Sequence, residues 1–304
     1  MNTRSMAAVA LIAAAAIGVA GCGAGASAPN PARTAGRSAA ATPPGNGNGA
    51  RQEDCPLPDS GFDCDFQRRI AAVGRYLPTR PGTTGVVLRD RETGAVWRND
   101  QATDLTWTAS TIKLAMVVDL FTRDRAGEIT LTSTDRALIQ SMLHSSDDDA
   151  ADTLWHRYAG DDHMAYNDNF PSYGLTGLEP EEGYTDFYPY WGFQKCTADD
   201  LDRLIQYVLT ELPADDRAYV VGEMRTVAEN QRWGVWGAGP AAQPGNKNGW
   251  SEEDTGWVMN TVGFAGPEER YTLAAMNDLA GAGDEDTGRD TVTHVAELLF
   301  AGRF

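Results

Sequence analysis

Lysine is nearly absent from this 304-residue chain: Lys113, Lys195 and Lys247 stand against 22 arginines. Arginine stays protonated and cannot serve as a base, whereas a buried lysine gives up its proton readily. Any amine that must carry a proton is therefore one of three, and two of these stand close to possible partners. Ser110-Thr111-Ile112-Lys113 is an S-x-x-K, and Lys247-Asn248-Gly249 is a K-x-G. Histidine and cysteine are also scarce, at four residues each, and no cysteine has a histidine near it in sequence. That argues against a thiol nucleophile. Positive charge is short overall, with a net charge of −18. The only charges in residues 1–51 are Arg4, Arg33, Arg37 and Arg51, so residues 52–304 carry a net −22. A domain so acidic repels nucleic acid.

The apolar stretch Met6–Ala20, after Arg4, is too short for a comfortable membrane span. It runs into Val19-Ala20-Gly21-Cys22. A charged start, a short apolar core and small residues before a cut mark an export signal. With cysteine next, the segment resembles a bacterial lipoprotein signal, which implies removal of residues 1–21, lipid on Cys22 and an extracytoplasmic, membrane-anchored protein. Residues 22–54 are Ala, Gly, Ser, Pro and Asn with almost nothing to bury, and read as a flexible tether. Residues 55–304 can bury a full core as one domain. Outside the membrane disulfides are permitted, and Cys55, Cys64 and Cys196 allow three single pairings, among which spacing does not choose.

Apolar periodicity predicts helices over Asp65–Tyr76, from near Ser110 to about Asp124, and over Thr134–Leu143, Ala150–Tyr158, Ala198–Leu212 and Thr291–Phe300. Strands are predicted at Gly85–Arg89 with Ala95–Arg98, and at Trp257–Ala265 with Arg270–Leu279. Residues 160–196 lack regular pattern, but six aromatics between Tyr184 and Phe193 point to packing rather than disorder or a sugar platform. Strands at both ends with helices between fit an α/β/α sandwich of mainly antiparallel sheet carrying an inserted helical subdomain.

About one S-x-x-K is expected by chance in a chain of this length. Here Ser110 opens a predicted helix, where free N–H groups and the dipole favour negative charge, and Lys113 lies one turn on along the same face. Desolvated, Lys113 could take the hydroxyl proton of Ser110. The plainer alternative is an N-cap serine with a snorkelling lysine. Ser146-Asp147-Asp148 and Lys247-Asn248-Gly249-Trp250 follow in order. With these three elements the chain resembles the penicillin-recognising serine enzymes, especially class A β-lactamases and their compact relatives, over about residues 65–303. Their signatures are S-x-x-K, S-x-N and K-[TS]-G.

The resemblance implies that Ser110 is the acylated nucleophile and Lys113 its base. It implies that Ser146 relays a proton to the leaving nitrogen, while Lys247 meets a substrate carboxylate. The N–H groups of Ser110 and Trp250 would form the oxyanion hole, with Asn248 and Gly249 beside the substrate, and no metal or cofactor is required. Two departures stand out. Asp148 replaces the motif's asparagine, so it can accept but not donate, and it would hold Lys113 protonated. Asn248 replaces a hydroxyl residue. Glu179, in Glu179-Pro180-Glu181-Glu182-Gly183, matches half of the loop motif that positions the hydrolytic water, or else it is a solvated acid like most acids. Calcium at Asp147–Asp149 with Asp152 is disfavoured by helical spacing. His144 reads as a surface residue at a helix end. The expectation is a monomeric, lipid-anchored serine hydrolase acting on β-lactam or related amide and ester substrates. A D,D-peptidase or esterase acting on cell-wall peptide is one alternative, and a catalytically impaired binding lipoprotein is the other.

Overall fold

A computed structural model describes residues 55–184 and 191–304. Its helices are α1 (Cys64–Tyr76), α2 (Ile112–Ala126), α3 (Ser133–His144), α4 (Asp148–Tyr158), α5 (Ala165–Asn169), α6 (Ala198–Thr210), α7 (Ala214–Arg225) and α8 (Glu285–Phe300). Its strands are β1 (Thr83–Asp90), β2 (Val96–Arg98), β3 (Thr106–Trp107), β4 (Glu179–Pro180), β5 (Gln194–Cys196), β6 (Gly245–Glu253), β7 (Gly256–Ala265) and β8 (Tyr271–Asp278). The proposed signal, Cys22 and the tether lie outside the described residues, as do residues 185–190 of the aromatic stretch.

Side-chain alternation sets the layers. Successive strand residues face opposite sides, and here both sides are buried. Val86 and Leu88 of β1, Leu273 and Ala275 of β8 and Met259 of β7 pack with Phe66, Ile70, Val292, Val295 and Leu299 of α1 and α8. Val87, Ala274, Met276, Val262 and Phe264 face the other way, into a core with α2 and α6. The five strands run in the order β2-β1-β8-β7-β6, and all neighbours are antiparallel, the mainly antiparallel sheet that the sequence predicts. Phe66 meets Tyr271 and Phe300 at centroid distances of 4.7 and 6.0 Å. Such pairs contribute ~0.5–1.5 kcal/mol each beyond their buried area.

Helix α2 is the axis of the helical lobe, with every residue from Ile112 to Phe121 buried. That stretch is apolar apart from Lys113 and Asp119, as befits a helix in a core, and it carries Ser110 at its entry into the gap between lobe and sheet. Caps fix several helix starts. Asp63 accepts from the Phe66 N–H at 2.8 Å, and Thr132 with Asp135 and Thr197 with Asp200 form capping boxes.

Three local features differ from or complete the sequence expectations. The K-x-G motif, just ahead of the predicted Trp257–Leu279 hairpin, lies inside a further edge strand, β6, whose Gly and Asn content hides it from β-propensity. Helix α7 is absent from the predicted set: it starts at Pro213 without a side-chain cap and buries only Asp216, Val220, Val221 and Met224. Cys55 and Cys64 form the disulfide, leaving Cys196 a buried thiol on β5. Closing so short a loop stabilises by roughly 2–3 kcal/mol on the chain-entropy view.

Candidate active site

Ser110 sits in a short 3-10 turn, Ala109–Thr111, directly before α2. The turn is strained, with Ala109 at φ +44° in the left-handed region. Holding a non-glycine residue there costs on the order of 1 kcal/mol or more. The surroundings enforce it. Thr111 Oγ1 donates to Thr108 O at 2.6 Å, and Asn260 Nδ2 on β7 donates to Trp107 O at 2.8 Å and Thr108 O at 3.3 Å. Across the cleft, a Cβ on Gly249 would stand 2.8 Å from Ser110 N and 2.6 Å from Thr111 N. Glycine is therefore required for β6 to lie against the nucleophile turn.

Ser146 joins the two motif lysines. Its carbonyl accepts from Lys113 Nζ at 2.6 Å and its Oγ accepts from Lys247 Nζ at 2.8 Å. It does so from a left-handed backbone, φ +62°, in the loop between α3 and α4. Lys247 Nζ also donates to Asn248 O at 2.7 Å. Both amines are buried, Lys113 at 0% and Lys247 at 1% exposure. Burial pushes the Lys113 amine below the ordinary lysine range, opposed by the carboxylates of Asp148, Asp147 and Asp152. Burial pushes Lys247 far below that range; neighbouring Lys113 adds to this and Asp148 opposes it.

Asp148 is hydrogen-bonded to Lys113 Nζ from the solvent side, its side chain 72% exposed. Among the described residues no hydrogen bond joins Lys113 to Ser110 Oγ. The amine is instead shared between Ser146 O and Asp148. Trp191 covers another side of it, the ring centroid 4.3 Å from Nζ. The indole N–H donates to Asp152 Oδ1 at 2.8 Å.

Ser110, Lys113, Ser146, Asp148, Lys247 and Gly249 thus converge, as their motif order implies. Three candidates are placed differently. The side chain of Asn248 points off the cleft, donating to Gln231 O at 2.8 Å, because strand alternation puts it opposite Lys247. Trp250 shares that face, its ring edge-on against Trp233 at 5.8 Å. Glu179 does not join Ser110. It is exposed on β4, in register with Lys195, and lines a separate cavity of about 670 Å³ with Trp107, Phe193 and Glu252. The β4–β5 pairing draws that half-motif to the small three-stranded sheet. Sequence reasoning missed Trp191 and Asn260, and weighed Asp152 only as a calcium ligand. Trp191 is one aromatic among six in its stretch, with no local pattern to single it out.

No family model matches the chain. The protein named "Putative lipoprotein LppW" of Mycobacterium tuberculosis is 27% identical over 253 residues, covering 80% of this chain and 77% of that protein; its Mycobacterium bovis counterpart matches equally. Among solved structures, a β-lactamase from Xanthomonas campestris superposes with a TM-score of 0.64 at 18% identity, over 78% of this chain and 97% of the other. An engineered variant of an ancestral class A β-lactamase of Gram-negative bacteria gives 0.64 at 17% identity, over 78% and 98%. One from Burkholderia vietnamiensis gives 0.62 at 19% identity, over 77% and 95%. The chain has the fold of the class A β-lactamases.

Proposed function

We propose that this chain is an exported, lipid-anchored serine acyl-transfer enzyme of β-lactamase-like type, with Ser110 as nucleophile. The observation that carries the reading is the pair of buried lysines joined through Ser146 beside a serine at a buried helix entry. Ser110 Oγ attacks the substrate carbonyl carbon while its proton passes to the neutral amine of Lys113. The N–H groups of Ser110 and Trp250 receive the developing oxyanion, each such donor contributing ~3 kcal/mol. The C–N bond breaks, and the nitrogen takes a proton from Ser146 Oγ, which Lys247 resupplies. Protonated Lys247 also attracts a substrate carboxylate. Side chains of this chain handle every proton in the sequence. Substrates with an amide or ester carbonyl next to a carboxylate fit: β-lactams, or D-amino-acid amides and esters of the cell wall. The lipid on Cys22, the tether and a catalytic domain over 55–304 complete the reading, supported by the name of the mycobacterial relative.

A second reading, a non-catalytic binding lipoprotein, is favoured by the Lys113–Asp148 contact, which opposes loss of the base's proton. Labelling with a fluorescent penicillin separates the two. The wild type should be labelled and Ser110→Ala should not. Equal labelling of both proteins, or of neither, defeats the enzymatic reading.

A further inference from the structure

We propose that Trp191 is a positioning residue that protects the acyl-enzyme from water, so that a substrate leaves its acyl group on Ser110 as a lasting adduct; this rests on Ser110 being the nucleophile. Acylation needs no water. The Oγ–C bond forms, the substrate C–N bond breaks, the serine proton ends on Lys113, and the leaving nitrogen takes the proton that Lys247 supplies through Ser146. Hydrolysis differs: a water oxygen must bond to the ester carbon as C–Oγ breaks, and a base must take the water's proton before one returns to Ser110 Oγ. General-base assistance of that kind contributes ~10²–10⁴-fold.

Among the described residues, the carboxylates that bear on Lys113 already hold hydrogen bonds. Asp148 holds Lys113 itself. Asp147 caps α4 through Ala150 N at 3.0 Å and accepts from Ser141 Oγ at 2.5 Å. Asp152 accepts the Trp191 indole N–H at 2.8 Å. Glu181 pairs with Lys195 at 3.3 Å, and Glu179 lines the separate cavity. Beside the amine lies an indole face, which has no lone pair with which to orient or deprotonate a water. It attracts a cation instead, and so favours the ammonium form of Lys113 once acylation is complete. The ring is fixed at both ends. Besides the Asp152 bond, its carbonyl accepts from Gln194 Nε2 at 2.6 Å, and Gln194 Oε1 accepts from Asn167 Nδ2 at 2.8 Å.

The test is a pulse of benzylpenicillin on the full chain, removal of free drug, and intact-mass readings over time. Wild type should hold the adduct through a chase of hours. Trp191→Ala should lose it roughly tenfold faster or more, part of the assistance available to hydrolysis. Trp191→Phe, which keeps an aromatic face but cannot donate to Asp152, should also lose it faster, and it decides the matter if Trp191→Ala fails to fold. Equal decay in wild type and the freed variants overturns the role of Trp191 while leaving Ser110 as nucleophile. Absence of any adduct on every protein overturns the nucleophile, and this inference with it.

Discussion

At the scale of single residues, Asp148 decides how well Lys113 serves as a base. Its carboxylate raises the amine's pKa against the lowering by burial, with Asp147 and Asp152 adding to it. Asp148→Asn removes that charge, so the amine reaches its neutral form at lower pH. The rising limb of the acylation–pH profile should therefore move toward acid. The new amide can also donate to a substrate side-chain amide that Asp148 leaves unpaired, which costs ~1–3 kcal/mol if buried. Acylation by penicillins carrying that amide should quicken by roughly tenfold per 1.4 kcal/mol recovered, and by less for analogues without it. Stopped-flow rates across pH check both parts. A slower variant with an unmoved profile would mean that the carboxylate serves a different substrate.

At the scale of elements, the site is a contact between the start of α2 and edge strand β6, and Gly249 sets its closeness. In Gly249→Ala the new Cβ would come within 3 Å of two backbone nitrogens, so strand or turn must shift. Misplacement by about 1 Å costs ~10²-fold in rate, and overpacking costs ~1–3 kcal/mol in stability. Loss of acylation at that scale with a lowered melting temperature is the expected result; wild-type rates would show that β6 does not set the geometry. The same contact explains what sequence revealed. The serine, both lysines and Ser146 were legible because each motif is local and its order is diagnostic. The strand under Lys247 was not, because Gly245, Asn246, Asn248 and Gly249 are poor strand formers held by pairing with β7. Nor was the position of Glu179, since pairing of β4 with β5 is a long-range event. Trp191 reaches Lys113 across 78 positions of sequence, by a loop whose path no periodicity records.

At the scale of the whole molecule, alternating apolar strands and the apolar periodicity of the helices were enough to predict the sandwich and its helical lobe. Helix α7 escaped because its apolar stripe is only three residues wide. A net charge of −18 keeps the chain away from polyanions, and the proposed lipid on Cys22 would hold it at a membrane surface. Cys22→Ala should appear in the soluble fraction or stay unprocessed after cell fractionation. A fully membrane-bound, normally processed variant would refute the anchor.

The central claim is that Ser110 becomes acylated. Its most direct measurement is peptide mapping of benzylpenicillin-treated protein by mass spectrometry. The reading predicts one penicilloyl group, on Ser110, present in the wild type and absent from Ser110→Ala. A group on another residue, or an unmodified Ser110 after long exposure to the drug, would contradict it.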